Sequence, residues 1–105
     1  MRRLVLLLLV CVALVAGAQV RAPLPVPDLP GYKTLKGDFH IHTVFSDGLV
    51  WPTLRVNEAW RDGLDVIALS EHAEYHPHEK DVKVDGWRPY EVARELAEQL
   101  GLILI

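Results

Sequence analysis

Asp65-Val66-Ile67-Ala68-Leu69 is a short, almost continuous apolar run with a helix-like pattern on either side. That placement constrains the fold more than any other feature. A strand covered on both faces reads as an unbroken apolar stretch, and one that stands between helices belongs to a parallel sheet. Ahead of it, Asp38-Phe39-His40-Ile41-His42 alternates, which predicts a strand with Phe39 and Ile41 on one face and His40 and His42 on the other. Residues 43–48 read as a loop, with Ser46-Asp47-Gly48 as its turn chemistry. Pro52 suits the first turn of a helix, Val56, Ala59 and Trp60 mark its buried stripe, and Gly63 stops it. Beyond the apolar run, residues 71–88 form a long polar loop. Pro89 then opens a second helix with Ala93, Leu96, Ala97 and Leu100 on one stripe, and Gly101 ends it. Leu102-Ile103-Leu104-Ile105 predicts a third buried strand. The order β-α-β-α-β places the chain in the α/β class, with parallel strands and right-handed crossovers.

An apolar strand at a chain end, with nothing after it to cover it, is an unusual terminus. A closed α/β barrel takes roughly 200 residues or more, against the 105 present. The expectation is therefore the first β-α-β-α-β portion of a barrel, truncated at the third strand. The alternative, a complete three-stranded domain, would leave that strand as an unprotected edge.

The beginning of the chain reads as an address. Arg2 and Arg3 precede an unbroken apolar run of 13 residues, 4–16, and Ala16-Gly17-Ala18 supplies the small-x-small pattern of a cleavage site. Residues 1–18 are thus expected to be a signal peptide cleaved after Ala18, which implies a secreted or periplasmic protein. The run falls short of the roughly 20 apolar residues of a membrane span, so no membrane association is expected after cleavage. Cys11, the single cysteine, lies inside that run, so a disulfide framework is excluded. Residues 19–105 carry nine Lys and Arg against 14 Asp and Glu, spread along the chain, which argues against a nucleic-acid partner. Residues 19–36 hold Pro23, Pro25, Pro27 and Pro30 and read as an extended, proline-rich linker. The domain proper is expected over 37–105.

All five histidines, at positions 40, 42, 72, 76 and 78, fall within one stretch of the chain. His40 and His42 share a strand face near its C-terminal end, where α/β folds place their active sites. Asp47 follows in the next loop, and His72 comes just after the next parallel strand. Adjacent strand ends lie side by side in a β-α-β unit, so His40, His42, Asp47 and His72 form a candidate metal site. A mixed imidazole and carboxylate set suits Zn, Mn or Fe better than Ca or Mg. Ser46 and Ser70 raise the competing idea of a Ser-His-Asp arrangement, but neither sits in a Gly-x-Ser-x-Gly elbow.

Asp38-Phe39-His40-Ile41-His42-Thr43 followed by Ser46-Asp47-Gly48 resembles the first motif of the PHP (polymerase and histidinol phosphatase) superfamily. The stretch from Asp65 through Ser70-Glu71-His72 is similar to its second motif, which usually ends Thr-Asp-His. The resemblance covers roughly residues 36–105. It implies a distorted (β/α) barrel, two or three divalent metal ions and the hydrolysis of a phosphate ester. It assigns His40 and His42 to the first metal, and Asp47 and His72 to the third. The signal peptide and residues 35–79 look most like secreted bacterial PHP phosphodiesterases. In that family a bridging Glu follows the third strand, and further His ligands and an Asp-x-His come later. None of these falls within the 105 residues. Ser70-Glu71 in place of Thr-Asp departs from the pattern, and no ligand role is carried onto Glu71.

Weaker candidates remain. His76 and His78, in Glu74-Tyr75-His76-Pro77-His78-Glu79, either meet a substrate phosphate or belong to a solvated polar loop. Asp38 either orients a ligand His or only begins its strand. Trp51 and Trp87 adjoin helix starts and read as staples. Arg55, Arg61, Arg88 and Arg94 either neutralise phosphate or face solvent. The expected function is an exported metal-dependent phosphoesterase, a phosphodiesterase by resemblance, acting on a small phosphorylated substrate. The alternatives are an amidohydrolase-type metal hydrolase, which a metal-bridging Lys would favour, and a non-catalytic binding domain of the same fold.

Overall fold

The computed structural model describes residues 19–105. The expected signal peptide, residues 1–18, lies outside the described residues. The elements follow in the order β1 (Gly37–Ile41), α1 (Pro52–Arg61), β2 (Val66–Leu69), α2 (Arg88–Leu100) and β3 (Ile103–Leu104). They form a three-stranded sheet in the order β1-β2-β3 with both pairings parallel, so the α/β class and the β-α-β-α-β order are as the sequence predicts.

Each helix begins on a proline in its first turn, where a missing N–H costs no hydrogen bond. Each ends alike. Gly63 and Gly101 adopt positive φ, 85° and 68°, and the residue after each glycine donates its N–H back to an alanine carbonyl, Leu64 to Ala59 and Leu102 to Ala97. That six-to-one closure needs a left-handed residue, which glycine supplies without strain. The apolar faces of both helices meet the sheet in one core of Ile41, Val56, Ala59, Ile67, Ala93, Ala97 and Leu102. Alanines at three of these positions leave little bulk where α1 packs against α2. Val56 and Ile67 are fully buried, and each such side chain contributes about 1.5–3 kcal/mol of hydrophobic stabilisation. Trp60, expected on the core stripe, is half-buried and stands outside this cluster.

Two sequence expectations need correction. The first concerns β1. Asp38 pairs with Ile67 but Ile41 with Leu69, so three steps along β1 match two along β2. One extra residue is accommodated as a bulge, and strict alternation breaks there. Phe39 is consequently 60% exposed while Ile41 is buried in the core, and the two do not share a face. The second concerns cover. Both helices contribute to one core on one side of the sheet. On the other side Phe39 and Ile103 are exposed while Val66 between their strands is buried, so among the described residues that face is only partly covered.

Residues 19–36 contain no helix or strand and are mostly exposed, as their prolines dictate. They are nevertheless docked. The Ala22 N–H donates to the Arg61 carbonyl at 2.7 Å. The Arg21 guanidinium donates to the carbonyls of Gly63 and Leu64 and to the Asp65 carboxylate. Lys36, at the far end of the segment, pairs with the same carboxylate at 3.0 Å. These contacts lie at the N-terminal ends of the strands, opposite the candidate site.

Candidate metal centre

Parallel pairing brings the C-terminal ends of β1 and β2 together, and the chain after each end supplies the site. His42 is the first residue past β1, and His72 follows β2 by three. The His42 ring stacks on His40 at 4.9 Å between centroids and meets His72 edge-on at 4.6 Å. Asp47 reaches back from the loop. The His42 Nδ1 stands 2.6 Å from its Oδ1, and the His72 Nε2 stands 3.5 Å from its Oδ2. The His42 ring beside Asp47 holds its carboxyl below the usual carboxylate range.

One donor atom each from His42, Asp47 and His72 lies within 4.8 Å of the others. Two half-buried imidazoles and an exposed carboxylate beside the strand ends are a donor set that fits a divalent cation. His40 stands outside this group and is joined to it through its ring stack on His42. The structure thus groups His42 with Asp47 and His72, whereas the resemblance pairs it with His40.

The loop that carries Asp47 is shaped from within and without. The Ser46 N–H donates to the Thr43 carbonyl, and the Val44 N–H to the Val50 carbonyl. Gly48 passes so close to the chain that a Cβ there would lie 2.5 Å from the His42 carbonyl carbon and oxygen. Only glycine permits that approach. Arg55, from α1, donates its Nε–H to the His42 carbonyl at 3.1 Å, so it orders the site's backbone rather than facing solvent.

Glu71 is the residue that sequence reasoning missed. Its carboxylate accepts the Thr43 N–H, the Thr43 hydroxyl and the Ser46 hydroxyl. Thr43 and Ser46 are both fully buried, and buried hydroxyls require partners. Two small hydroxyl residues beside His42 were the available signal, since a loop of exposed turn residues would not need a carboxylate from the next strand. Asp38 accepts the N–H of His40 at 2.9 Å, a turn-like contact within its own strand. His76 and His78 are both engaged. The His76 ring nitrogens stand 2.9 Å from the Phe45 carbonyl and 3.0 Å from the Ala73 carbonyl, and the His78 Nε2 stands 3.0 Å from the Gly48 carbonyl. Trp51 packs on Phe45 at 5.2 Å, and Trp87 is exposed beside Tyr90.

The fold is thus a parallel β-α-β-α-β unit that carries at its strand ends a His-Asp-His group able to hold a metal ion. No protein-family model and no curated protein matches the chain. Among solved structures it is similar to a two-domain protein from Bacteroides vulgatus ATCC 8482, described as containing a predicted PHP-like metal-dependent phosphoesterase. The identity is 63% and the TM-score 0.82, over 85% of this chain and 26% of that one. The chain therefore spans about a quarter of that relative's length. The resemblance to the PHP superfamily read from the two motifs is supported by this likeness.

Proposed function

We propose that the chain carries part of the metal centre of an exported metal-dependent phosphoesterase, one that acts on a small phosphodiester. The observation that carries this reading is the convergence of His42, Asp47 and His72 at two adjacent strand ends. The 63% identity to a protein containing a predicted PHP-like phosphoesterase supports it. His42, Asp47 and His72 would hold a divalent cation, with His40 beside them, and two or three ions of the Zn, Mn or Fe type suit such donors. A bound divalent ion supplies a Lewis acid for a phosphoryl oxygen and an acidified water near neutral pH. This chain's residues contribute position. His42 and Asp47 fix one another through their 2.6 Å contact. Glu71 holds the intervening loop through Thr43 and Ser46. Export rests on the signal pattern of residues 1–18, and no helix among the described residues is long and apolar enough to cross a membrane.

The test is hydrolysis of an aryl phosphodiester and the matching monoester by the full-length protein that contains this chain, after metal loading, with elemental analysis of the same sample. Faster turnover of the diester is expected, together with bound metal and loss of both in His42→Ala and His72→Ala. Unchanged activity in those variants would overturn the assignment. N-terminal sequencing of the exported protein should begin at Gln19.

A further inference from the structure

The loop after β2 folds back over the loop after β1, and it does so through two histidines. In the stretch from Ala73 to Lys80 only His76 and His78 are half-buried, and the residues around them are exposed. The His76 Nδ1 lies 2.9 Å from the Phe45 carbonyl and its Nε2 lies 3.0 Å from the Ala73 carbonyl. The His78 Nε2 lies 3.0 Å from the Gly48 carbonyl. Phe45 and Gly48 bracket Ser46 and Asp47. Asp47 therefore stands in the middle of a span whose two ends are gripped by rings from a different loop. Pro77 between the two histidines fixes its own φ and has no N–H to donate. The Ser46 hydroxyl is held by Glu71.

We propose that His76 and His78 are positioning residues for Asp47. By holding the carbonyls on either side of it, they fix its carboxylate against His42 and His72 and so set how tightly that group takes a divalent cation. The inference rests on the metal reading above. Neither histidine belongs to the His42-Asp47-His72 group, so neither is offered as a ligand. The physical reason is preorganisation. A loop carboxylate that is ordered before the ion arrives loses less conformational entropy on binding. Outer partners that orient ligands typically change metal affinity about 10–100-fold when removed.

The test is titration of Mn²⁺ or Zn²⁺ alone into the metal-free full chain. His76→Ala and His78→Ala should each weaken affinity about tenfold. His76→Asn and His78→Gln, which keep an N–H donor near the lost nitrogen, should recover most of the loss. In an Asp47→Ala background the two alanine substitutions should have no further effect. Unchanged affinity in the alanine variants, failure of both amide variants to recover it, or equal losses with and without Asp47 would each overturn the proposal. If Asp47→Ala itself leaves affinity unchanged, the metal reading fails and the positioning role falls with it. Amide hydrogen exchange in the metal-free protein gives a second readout. Residues 44–48 should exchange faster in the alanine variants while Val66–Leu69 does not, and equal loss of protection in both segments would refute a local positioning role.

Discussion

Thr43 gives Glu71 two hydrogen bonds, one from its backbone N–H and one from its hydroxyl. This ties the loop after β1 to the chain just past β2. Because Thr43 is fully buried and Ser46, the third donor, is too, removing the carboxylate strands donors that water cannot reach. Glu71→Ala is expected to destabilise the protein by about 2–4 kcal/mol, from penalties of about 1–3 kcal/mol for each unsatisfied buried group. Glu71→Asp, one methylene shorter, should cost less and shift the loop toward β2. Chemical denaturation checks both. Equal stability of Glu71→Ala and the parent would show that the carboxylate is not what satisfies these donors.

Gly48 carries a second prediction. A Cβ at that position would meet the His42 carbonyl group and the Thr43 nitrogen, all backbone atoms, at 2.5–2.6 Å. Backbone does not swing aside as the end of a side chain does. Gly48→Ala should therefore cost about 1–3 kcal/mol, the usual range for overpacking. It should also displace Asp47 from His42, since Asp47 is the adjacent residue. Denaturation measures the first effect and metal titration the second. A Gly48→Ala protein with parental stability and metal affinity would contradict the close approach.

Particular residues show what the sequence could and could not disclose. The element order was legible because apolar periodicity and the Pro and Gly punctuation agree at 52, 63, 89 and 101. The approach of His42 to His72 was legible because parallel strands must place their C-terminal ends together, whereas the separation of His40 from the group with Asp47 was not. The bulge in β1 was not, since one extra residue between Asp38 and Ile41 changes no composition and breaks only the pairing register. The role of Glu71 was hidden because it depends on two hydroxyls nearly thirty residues earlier. The engagement of His76 and His78 was hidden for the same reason, as their partners are backbone carbonyls that look alike in every sequence. Arg21 reads as part of a linker until its three acceptors around residues 63–65 are seen.

Asp65 gathers both ends of the proline-rich segment and makes its attachment sensitive to acid. The Lys36 backbone N–H, then the Lys36 ammonium and the Arg21 guanidinium, lower its pKa from the ordinary 3.8 to about 2. A carboxylate with a depressed folded-state pKa adds stability that is present above the unfolded value and is lost as pH falls through the folded one. The attachment of residues 21–36 should therefore hold above about pH 4 and loosen between about pH 4 and pH 2. Asp65→Asn should expose that segment to proteolysis already at neutral pH. Limited proteolysis across the pH range tests both, and a cleavage pattern that ignores pH and the substitution would show that the segment is held by other contacts.

His76 should respond to pH in the opposite sense. The Phe45 carbonyl first and the Ala73 carbonyl second raise its pKa above the ordinary 6.5, with the charges of Glu79 and Glu74 adding to the effect. A neutral imidazole has one N–H to donate, whereas the imidazolium has two, and two carbonyls face this ring at 2.9 and 3.0 Å. Protonation therefore completes both contacts. A histidine whose folded-state pKa is raised contributes stability fully present below the unfolded value and lost as pH rises through the folded one. The grip of the loop after β2 on the loop after β1 should be firmest below about pH 6.5 and should weaken as pH rises through the folded-state pKa. Histidine ring resonances followed by NMR in the metal-free protein should show His76 titrating above the ordinary range. Amide protection in residues 43–48, taken relative to the intrinsic exchange rate at each pH, should fall over the same interval. His76→Asn should abolish that pH dependence, and a His76 that titrates at or below the ordinary value would refute it.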